Sequence, residues 1–395
     1  MVRGLSVDAF ISENLSADIS GLALQRDRYP SLSDADFRFA LQQIEGRQVC
    51  SHKLPVLSHI DGWWFARRLS LEQCSSEQTA AHKATLVSGN MLVDLTGGYG
   101  VDCFFLSERF SRAVYVERSE ELCRIARHNF AVADKAIEVV NNEAKSFLHD
   151  FDQVADCIYI DPARRNRAGQ KVFRLQDCEP DVLELMPMLK ERCRQVLLKL
   201  SPMIDIKHLL SVLPSVRQLE VVAVRNEVKE VLCLLDMSGE NVADAVDVPI
   251  RAVNLGSGQT DFDFSFKAES EAVCQYADSV DNYVYEPNSS IMKGGAFKLI
   301  ASRYGLKKLA VNSHLYTSDL FIVDFPGRVW QVVEVADKKL LRHQQYNIIS
   351  RNYPLNAVAL QRKYQIKDGG NSFLIATRVQ EHPVLFVAID ANDAH

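Results

Sequence analysis

The sequence predicts an α/β fold, and three observations lead to that prediction. From residue 91 onward, short apolar runs alternate with helix-compatible stretches, as in a parallel sheet covered by helices on both faces. The first run ends in the turn Gly97-Gly98-Tyr99-Gly100, which brings the backbone close to a nucleotide-like ligand. The second ends at Glu117, where an acid is placed to accept hydrogen bonds from a ribose.

The composition is that of a globular chain with room for two or three domains. Of 395 residues, 47% are hydrophobic and 24% are charged, and the net charge is −6. This balance excludes a polycation built to coat nucleic acid, although a local basic surface is compatible with it. The nine scattered cysteines form no Cys-x-x-Cys pair, and no apolar run matches a signal peptide or a membrane span. We therefore expect free thiols, no membrane contact and a cytoplasmic location.

The N-terminal segment, residues 1–88, is predicted to be mainly helical, and Ser33 followed by Asp36 resembles a helix start. Ser75 or Ser76 is placed to cap a helix that carries Thr79 and Lys83 on one face. This helix ends just before the glycine-rich strand. The polar residues at its N-terminus therefore either overhang the ligand pocket or belong to an ordinary helix that leads into the sheet.

The sheet domain is assigned to residues 89–240, with its last run as an added edge or antiparallel strand. The predicted strands are 91–96, 113–117, 137–141, 155–160, 195–200, 217–223 and 230–236. The predicted helices lie near 100–109, 119–133, 180–192 and 204–212.

Two further segments follow the sheet domain. Residues 241–282 are rich in Asp, Glu, Ser and Gly and are predicted to be a domain junction with short strands. Residues 283–395 are predicted to be an α+β domain of one or two small units. Its predicted elements are helices at 297–306 and 355–364 and strands at 319–323, 329–335, 372–377 and 384–389.

The glycine turn departs from the dinucleotide-binding fingerprint. In Gly-x-Gly-x-x-Gly counted from Gly98, Cys103 stands where the third glycine would be, and that glycine lets helix and strand approach beneath a pyrophosphate. The turn is therefore less suited to NAD or FAD than to a ligand with a cationic amino group. Asp94 is placed to pair with that cation, and Gly98 and Gly100 allow close approach.

Three motifs carry a family resemblance over about residues 71–236. Asp94-Leu-Thr-Gly-Gly-Tyr-Gly100, Glu117 and Asp161-Pro-Ala-Arg164 together resemble the motifs of class I S-adenosylmethionine-dependent methyltransferases. The resemblance implies a Rossmann-like seven-stranded methyltransferase sheet and S-adenosylmethionine as cofactor. The cofactor-binding residues that it implies are Asp94, Thr96, Gly97, Gly98, Gly100, Glu117, Asn142, Glu143 and Ala144.

Asp161 and Pro162 are the catalytic residues implied by the same resemblance. Methyltransferases that act on exocyclic amines commonly have (Asp/Asn)-Pro-Pro-aromatic here, and the acid orients the amine toward the methyl group. This chain has Ala163 and Arg164 in place of the second proline and the aromatic. Amine chemistry is thus favoured, whereas stacking on an aromatic at this position is not. The alternative is a simple turn at a strand end.

The whole chain is also similar to a bacterial group of uncharacterised methyltransferases with a C-terminal THUMP-like domain. The similarity depends on Glu72-Gln-Cys-Ser-Ser-Glu77, Tyr285-Glu-Pro-Asn288, His314-Leu-Tyr-Thr-Ser318, Arg351-Asn-Tyr-Pro354 and Lys367-Asp-Gly-Gly370. THUMP domains in other enzymes bind RNA, so the resemblance implies an RNA partner such as tRNA or rRNA.

Basic residues support the same partner. Arg164, Arg165 and Arg167 follow the Asp-Pro motif without an intervening acid. Such a run is either a solvated loop or, beside the methyl-transfer point, a contact for phosphates, which guanidinium groups bind well. Lys199 ends the fifth strand and is predicted to line the substrate pocket. Two acid-free basic tracts, between residues 287 and 319 and between 337 and 368, concentrate positive charge on the C-terminal domain.

The leading hypothesis is an S-adenosylmethionine-dependent methyltransferase that modifies an exocyclic amine of a base in structured RNA. The alternatives are a methyltransferase of a protein or small metabolite, and an RNA-binding protein without catalysis. The ten histidines form no metal-like cluster, so we expect no metal site.

Overall fold

The computed structural model describes residues 6–164, 175–239, 244–337, 339 and 341–391. Across these residues the α-helices are α1 (Val7–Glu13), α2 (Ile19–Ala23), α3 (Asp34–Cys50), α4 (Arg68–Gln73), α5 (Glu77–Leu86), α6 (Val101–Leu106), α7 (Glu120–Val132), α8 (Ala144–Asp150), α9 (Val182–Arg192), α10 (Ile206–Val212), α11 (Phe266–Glu271), α12 (Ser289–Gly294), α13 (Leu299–Tyr304) and α14 (Ala357–Tyr364).

The strands of the described residues fall into three sheets. They are β1 (Gly89–Asp94), β2 (Phe110–Glu117), β3 (Ile137–Asn141), β4 (Ala155–Ile160), β5 (Ala163–Arg164), β6 (Cys178–Glu179), β7 (Cys193–Leu200), β8 (Val216–Val224), β9 (Glu227–Asp236), β10 (Ile250–Leu255), β11 (Phe262–Phe264), β12 (Gln275–Tyr276), β13 (Tyr283–Pro287), β14 (Lys307–Lys308), β15 (Tyr316–Ser318), β16 (Gly327–Val335), β17 (Gln345–Ser350), β18 (Lys367–Val379) and β19 (His382–Asp390).

The chain divides into two compact units. One comprises Met1–Leu200 and Cys233–Asn241, and the other comprises Ser201–Leu232 and Val242–His395. The domain boundaries inferred from the sequence follow a different division, and they stay a prediction.

The largest sheet has the strand order β11-β10-β8-β9-β7-β4-β1-β2-β3. Strands β1, β2, β3, β4 and β7 are parallel to their neighbours among these five. Their carboxyl ends therefore meet at one edge, at which open α/β sheets bind ligands. We refer to it as the carboxyl edge.

All seven predicted sheet strands are present, and β10 and β11 from the predicted junction extend the sheet. The run 230–236 was predicted to be an added edge or antiparallel strand. The edge position is wrong, because β9 lies between β8 and β7, whereas its two-residue connection to β8 is that of an antiparallel hairpin. Arg225 and Asn226 join β8 to β9 with φ values of 49° and 67°, the geometry of a tight hairpin turn. Helix α8 was not predicted, since its seven residues, AKSFLHD, give too short a pattern to distinguish.

Helices of the N-terminal segment form as their caps predict. Ser33 accepts a hydrogen bond from Asp36 N at the start of α3, and Ser76 accepts one from Thr79 N at the start of α5. The capping residue of α5 is thus Ser76, which leaves the Ser75 side chain available for other contacts. No helix among the described residues is long and apolar enough to cross a membrane.

The C-terminal part has its own eight-stranded sheet, with the order β12-β14-β15-β13-β16-β19-β18-β17. Its core includes the buried side chains of Val284, Trp330, Ile375 and Phe386. Residues 319–323 form no strand, contrary to expectation, and neighbouring Tyr285 donates a hydrogen bond to Leu320 O. That segment carries exposed Leu320 and Val323, so its apolar residues are not those of a buried strand.

Candidate active site at the carboxyl edge

The glycine turn after β1 is shaped by one aromatic side chain. A Cβ on Gly97 would lie 2.2 Å from Tyr115 Cε2, so only glycine fits there. The Tyr115 hydroxyl donates a 2.5 Å hydrogen bond to Gly98 O. Gly98 has φ of 55°, and a Cβ placed on it would meet only Thr96 O, at 3.7 Å. The turn is therefore packed against β2 at Gly97 and open at Gly98.

Asp94 and Thr96 connect two strand ends. Thr96 N donates to Asp94 Oδ1 at 2.9 Å, and Asp161 N donates to Thr96 Oγ1 at 2.6 Å. The ends of β1 and β4 are thereby joined through one threonine side chain. The structure thus brings the glycine turn and the Asp161-Pro162 motif together, as the sequence predicts.

The second carboxylate oxygen of Asp94, Oδ2, is buried and has no hydrogen-bond partner among the described residues. Burial raises the pKa of Asp94 well above its usual value, opposed by the hydrogen bond from Thr96 and assisted by nearby carboxylates such as Asp102. A buried carboxylate oxygen without a donor is costly, so this atom is suited to receive a cation or donor from a ligand.

Glu117 closes β2 beside the turn. Its carboxylate accepts hydrogen bonds from Gly98 N at 3.0 Å and from Ser119 N at 2.8 Å. Both contacts fix the carboxylate while leaving each oxygen further acceptor capacity. The three residues after β3 lie in the next connection: Asn142 N donates to Glu117 O, Asn142 Oδ1 accepts from Glu143 N, and Ala144 begins α8.

Asp161 follows β4 and forms an ion pair. Lys199 Nζ, from the end of β7, lies 2.5 Å from Asp161 Oδ2. The side chains of Asp161 and Lys199 are 34% and 13% exposed, so the aspartate is the more accessible partner. Pro162 is buried. The side chain of Arg164, and Arg165 and Arg167 entirely, lie outside the described residues.

A buried charged cluster adjoins this ion pair; we call Ser75, Lys83, Asp102 and Tyr159 the buried cluster. Lys83, fully buried, lies 3.2 Å from Asp102 Oδ1. Ser75 Oγ and the Tyr159 hydroxyl each donate to Asp102 Oδ2 at 2.7 Å. Burial by itself would raise the pKa of Asp102, but Lys83, Lys199 and these two donors hold it below its usual value.

Comparison with known proteins finds similar methyltransferases. A solved structure of a candidate methyltransferase from Porphyromonas gingivalis W83 is 33% identical to this chain, covers 98% of both chains and has a TM-score of 0.88. An uncharacterized S-adenosylmethionine-dependent methyltransferase of Mycobacterium tuberculosis is 23% identical over 327 residues, 80% of this chain and 85% of that protein. This chain belongs to the S-adenosylmethionine-dependent methyltransferases.

The C-terminal part of this methyltransferase matches two domain families. Residues 283–326 match a ferredoxin-like domain, and residues 327–389 match a family described as THUMP domain-like. The enzyme is therefore a class I methyltransferase with a C-terminal THUMP-like domain, and its cofactor is S-adenosylmethionine.

The residues at the carboxyl edge fit that cofactor. The unpaired Asp94 Oδ2 suits a cationic group, and the open side of Gly98 gives room for close approach. The Glu117 carboxylate has acceptor capacity beyond its two backbone contacts. Within the described chain, no group of three or more His, Cys, Asp or Glu side chains is arranged to hold a metal ion.

Sequence reasoning missed most of the buried cluster. Lys83 was placed on a helix face with Thr79, but its contact with Asp102 joins α5 to α6, and Tyr159 lies on β4. One signal was present, because Ser75 belongs to the motif Glu72–Glu77 that resembles the bacterial group. Its neighbour Glu77 accepts hydrogen bonds from Val56 N and Leu57 N, so that motif combines one site residue with one structural residue.

Many cations of the first C-terminal basic tract are used within the protein. Lys293 Nζ donates to Ile204 O, Lys298 Nζ to Ser270 O, and Arg303 Nη2 to Asp263 O. Lys307 pairs with Asp281 at 3.3 Å, and Lys308 is buried. In the second tract, Arg362, Lys363 and Lys367 are exposed. Positive charge available to a partner is therefore more evident near the end of α14 than in the first tract.

The C-terminal motifs of the whole-chain resemblance have structural contacts. Arg351 pairs with Glu286 at 2.6 Å, which joins two of those motifs. Asn288 caps α12 by accepting from Ile291 N, and buried Tyr316 donates to Phe297 O. These motifs are therefore explained in part by folding of the C-terminal sheet.

Proposed function

We propose that this methyltransferase modifies an exocyclic amine of a base in structured RNA, such as tRNA or rRNA. The observation that supports this proposal best is the position of Asp161-Pro162 at the end of β4. There the backbone N–H of Asp161 donates a hydrogen bond to Thr96, the residue just before the glycine turn. The acid of an amine-directed motif is thus adjacent to the turn that suits the cofactor.

The residues divide into two groups by the proposed role. S-Adenosylmethionine, when bound, supplies an electrophilic methyl group. Asp94 would pair with the cofactor's cationic group, Glu117 would accept from its ribose, and Thr96 would fix the turn. The proposed cofactor residues also include Gly97, Gly98, Gly100, Asn142, Glu143 and Ala144.

Asp161 would act on the acceptor. An amine nitrogen attacks through its lone pair, so its N–H groups must point away from the methyl group. A carboxylate that accepts one N–H orients the nitrogen and can take the proton that the nitrogen loses. Pro162 would hold the segment after β4 in an extended path. Arg164, Arg165 and Arg167 are the proposed substrate-binding residues, and Lys199, which the sequence predicted to line the substrate pocket, pairs with Asp161.

RNA is the proposed acceptor class because of the C-terminal domain. Its THUMP domain-like match covers residues 327–389, and exposed Arg362, Lys363 and Lys367 lie within it. Cations of this kind bind phosphates regardless of base sequence. The C-terminal domain would thus bind the RNA while the carboxyl edge selects the amine.

Transfer of label tests this function. The purified protein is incubated with methyl-labelled cofactor and an extract of cells that lack it, and the extract is then separated into RNA, protein and small molecules. We expect label in RNA, recovered as an N-methylated nucleoside, with wild type, and far less of it with Asp161→Ala. Label confined to protein or small molecules would refute the RNA proposal.

A further inference from the structure

Only one oxygen of the Asp161 carboxylate forms an ion pair among the described residues. Lys199 Nζ contacts Oδ2 at 2.5 Å, whereas Oδ1 has no hydrogen bond among the described residues. A carboxylate oxygen accepts more than one hydrogen bond, and Oδ1 is the one left to an incoming donor. The two oxygens are therefore inequivalent before any acceptor binds.

Lys199 is itself held by the buried cluster. Its Nζ donates to Ser75 Oγ at 3.2 Å and lies 3.9 Å from Asp102 Oδ2. Ser75 Oγ also accepts from Lys83 at 3.3 Å and donates to Asp102 at 2.7 Å. A hydroxyl has one donor and two acceptor sites, so Ser75 is saturated and its rotation is fixed. The ammonium of Lys199 thus lies between two carboxylates in a defined position.

We propose that Lys199 is a positioning residue, which holds Asp161 by Oδ2 so that Oδ1 accepts the hydrogen bond of the acceptor amine. The inference rests on the proposed amine chemistry but not on RNA being the acceptor. A carboxylate at a strand end rotates unless a partner fixes it, and small misplacements of reacting groups reduce rates strongly. The buried cluster holds Lys199 in place, and Lys199 in turn holds Asp161.

A purely stabilising ion pair predicts a different result. Lys199 is 13% exposed and adjoins buried Asp102, so its loss should lower stability in either case. A purely stabilising role would leave the turnover of the folded variant unaffected. Positioning predicts instead a large change in the turnover of the folded variant.

The test is a double-mutant cycle on turnover, with Lys199→Met, Asp161→Ala and both together. It uses the labelled-cofactor assay with whole extract, so whichever fraction accepts the methyl group serves as substrate. We expect Lys199→Met to lower kcat by about 10- to 100-fold, with KM and cofactor affinity changed by less than about threefold. In the Asp161→Ala background, Lys199→Met should cost less than about threefold more, because it acts through Asp161.

Two further variants make the result specific. Lys199→Arg keeps the charge and should recover part of the lost kcat. Lys267→Met removes a lysine that pairs with Asp247 at 3.1 Å, and it should leave kcat unchanged. If Lys199→Met does not fold, Lys199→Gln takes its place in the same cycle, since it removes the ion pair with Asp161 but keeps a polar side chain beside Ser75 and Asp102.

The outcomes separate this inference from the proposed function. Equal losses from Lys199→Met with and without Asp161 would show an independent role and overturn the positioning proposal. Unchanged kcat, or a loss confined to cofactor affinity, would also overturn it. Label in protein or metabolites with a non-additive cycle would refute RNA as acceptor and support Lys199. Absence of label from every fraction with wild type would refute both.

Discussion

Asp94 and Asp102 lie on either side of the β1–α6 connection and are both buried, yet their environments differ. Asp94 Oδ2 has no partner in the described chain, and burial raises the pKa of this residue. Asp102 contacts Lys83, Ser75 and Tyr159, and its pKa is lowered in spite of burial. Partners, rather than depth, therefore decide the direction in which the pKa of each carboxyl group shifts. Asp102 stabilises the protein, and Asp94 is suited to a ligand.

The largest expected effect is the loss of stability when Asp102 loses its partner Lys83. Lys83→Met removes a fully buried ammonium from Asp102, and breaking a buried pair on one side costs about 3–5 kcal/mol. Urea unfolding of wild type and variant measures the loss. Glu138→Gln, which breaks the exposed pair with Arg112 at 2.8 Å, should cost less than about 1 kcal/mol. Similar losses for the two variants would mean that the buried cluster is not important for stability.

Substitution of Asp94 should mainly weaken binding of the cofactor. Asp94→Asn removes the charge of the carboxylate but keeps an oxygen for Thr96 N. We expect cofactor affinity to fall by about 10- to 100-fold, or about 1.4–2.8 kcal/mol, while the free energy of unfolding changes by less than about 1 kcal/mol. Isothermal titration with S-adenosylmethionine measures the first and urea unfolding the second. Unchanged affinity would exclude Asp94 from the cofactor site.

The pH dependence of stability should differ as well. Because the pKa of Asp94 is raised, the folded state without cofactor keeps a proton that the unfolded state has released. Above the ordinary carboxyl pKa, the free energy of unfolding therefore falls as pH rises, by at most about 1.4 kcal/mol per pH unit, until the raised pKa of Asp94 is passed. Over this range, wild type should lose stability relative to Asp94→Asn. A constant difference would show that Asp94 does not titrate there.

The stability that Asp102 contributes should change with pH in the opposite direction. Its lowered pKa contributes stability that is present above the ordinary carboxyl pKa and lost as pH falls through the lowered value. Asp102→Asn should therefore be most destabilising near neutral pH and less so in acid. Urea unfolding over the same series measures this, and a loss independent of pH would argue against a charged Asp102.

The smallest expected effect is at Gly98. Alanine at its φ of 55° is strained, at about 1 kcal/mol, but the added Cβ meets no close atom of the protein. Gly98→Ala should therefore fold with a small loss in urea unfolding and bind S-adenosylmethionine more weakly in titration. Normal affinity would place the cofactor away from the open side of the turn.

The fold was predictable from local patterns to a considerable degree. Alternating apolar runs gave all seven predicted strands, and Ser33 and Ser76 begin α3 and α5 as their side chains predict. The interior place of β9 was not predictable, because strand order depends on pairing between segments far apart in the chain. The same holds for residues 319–323, which have a strand-like composition but lie outside the sheet.

For the site, sequence by itself determined which residues end the strands. Asp94, Glu117 and Asp161 follow buried runs, and a parallel sheet places such ends at one edge. Only the tertiary structure decided how the charges pair: Lys199 with Asp161, and Lys83 with Asp102. The physical reason is that a charge's partner is set by distance across packed elements, and residues far apart in sequence, such as Ser75 and Lys199, carry no periodic signal of their contact.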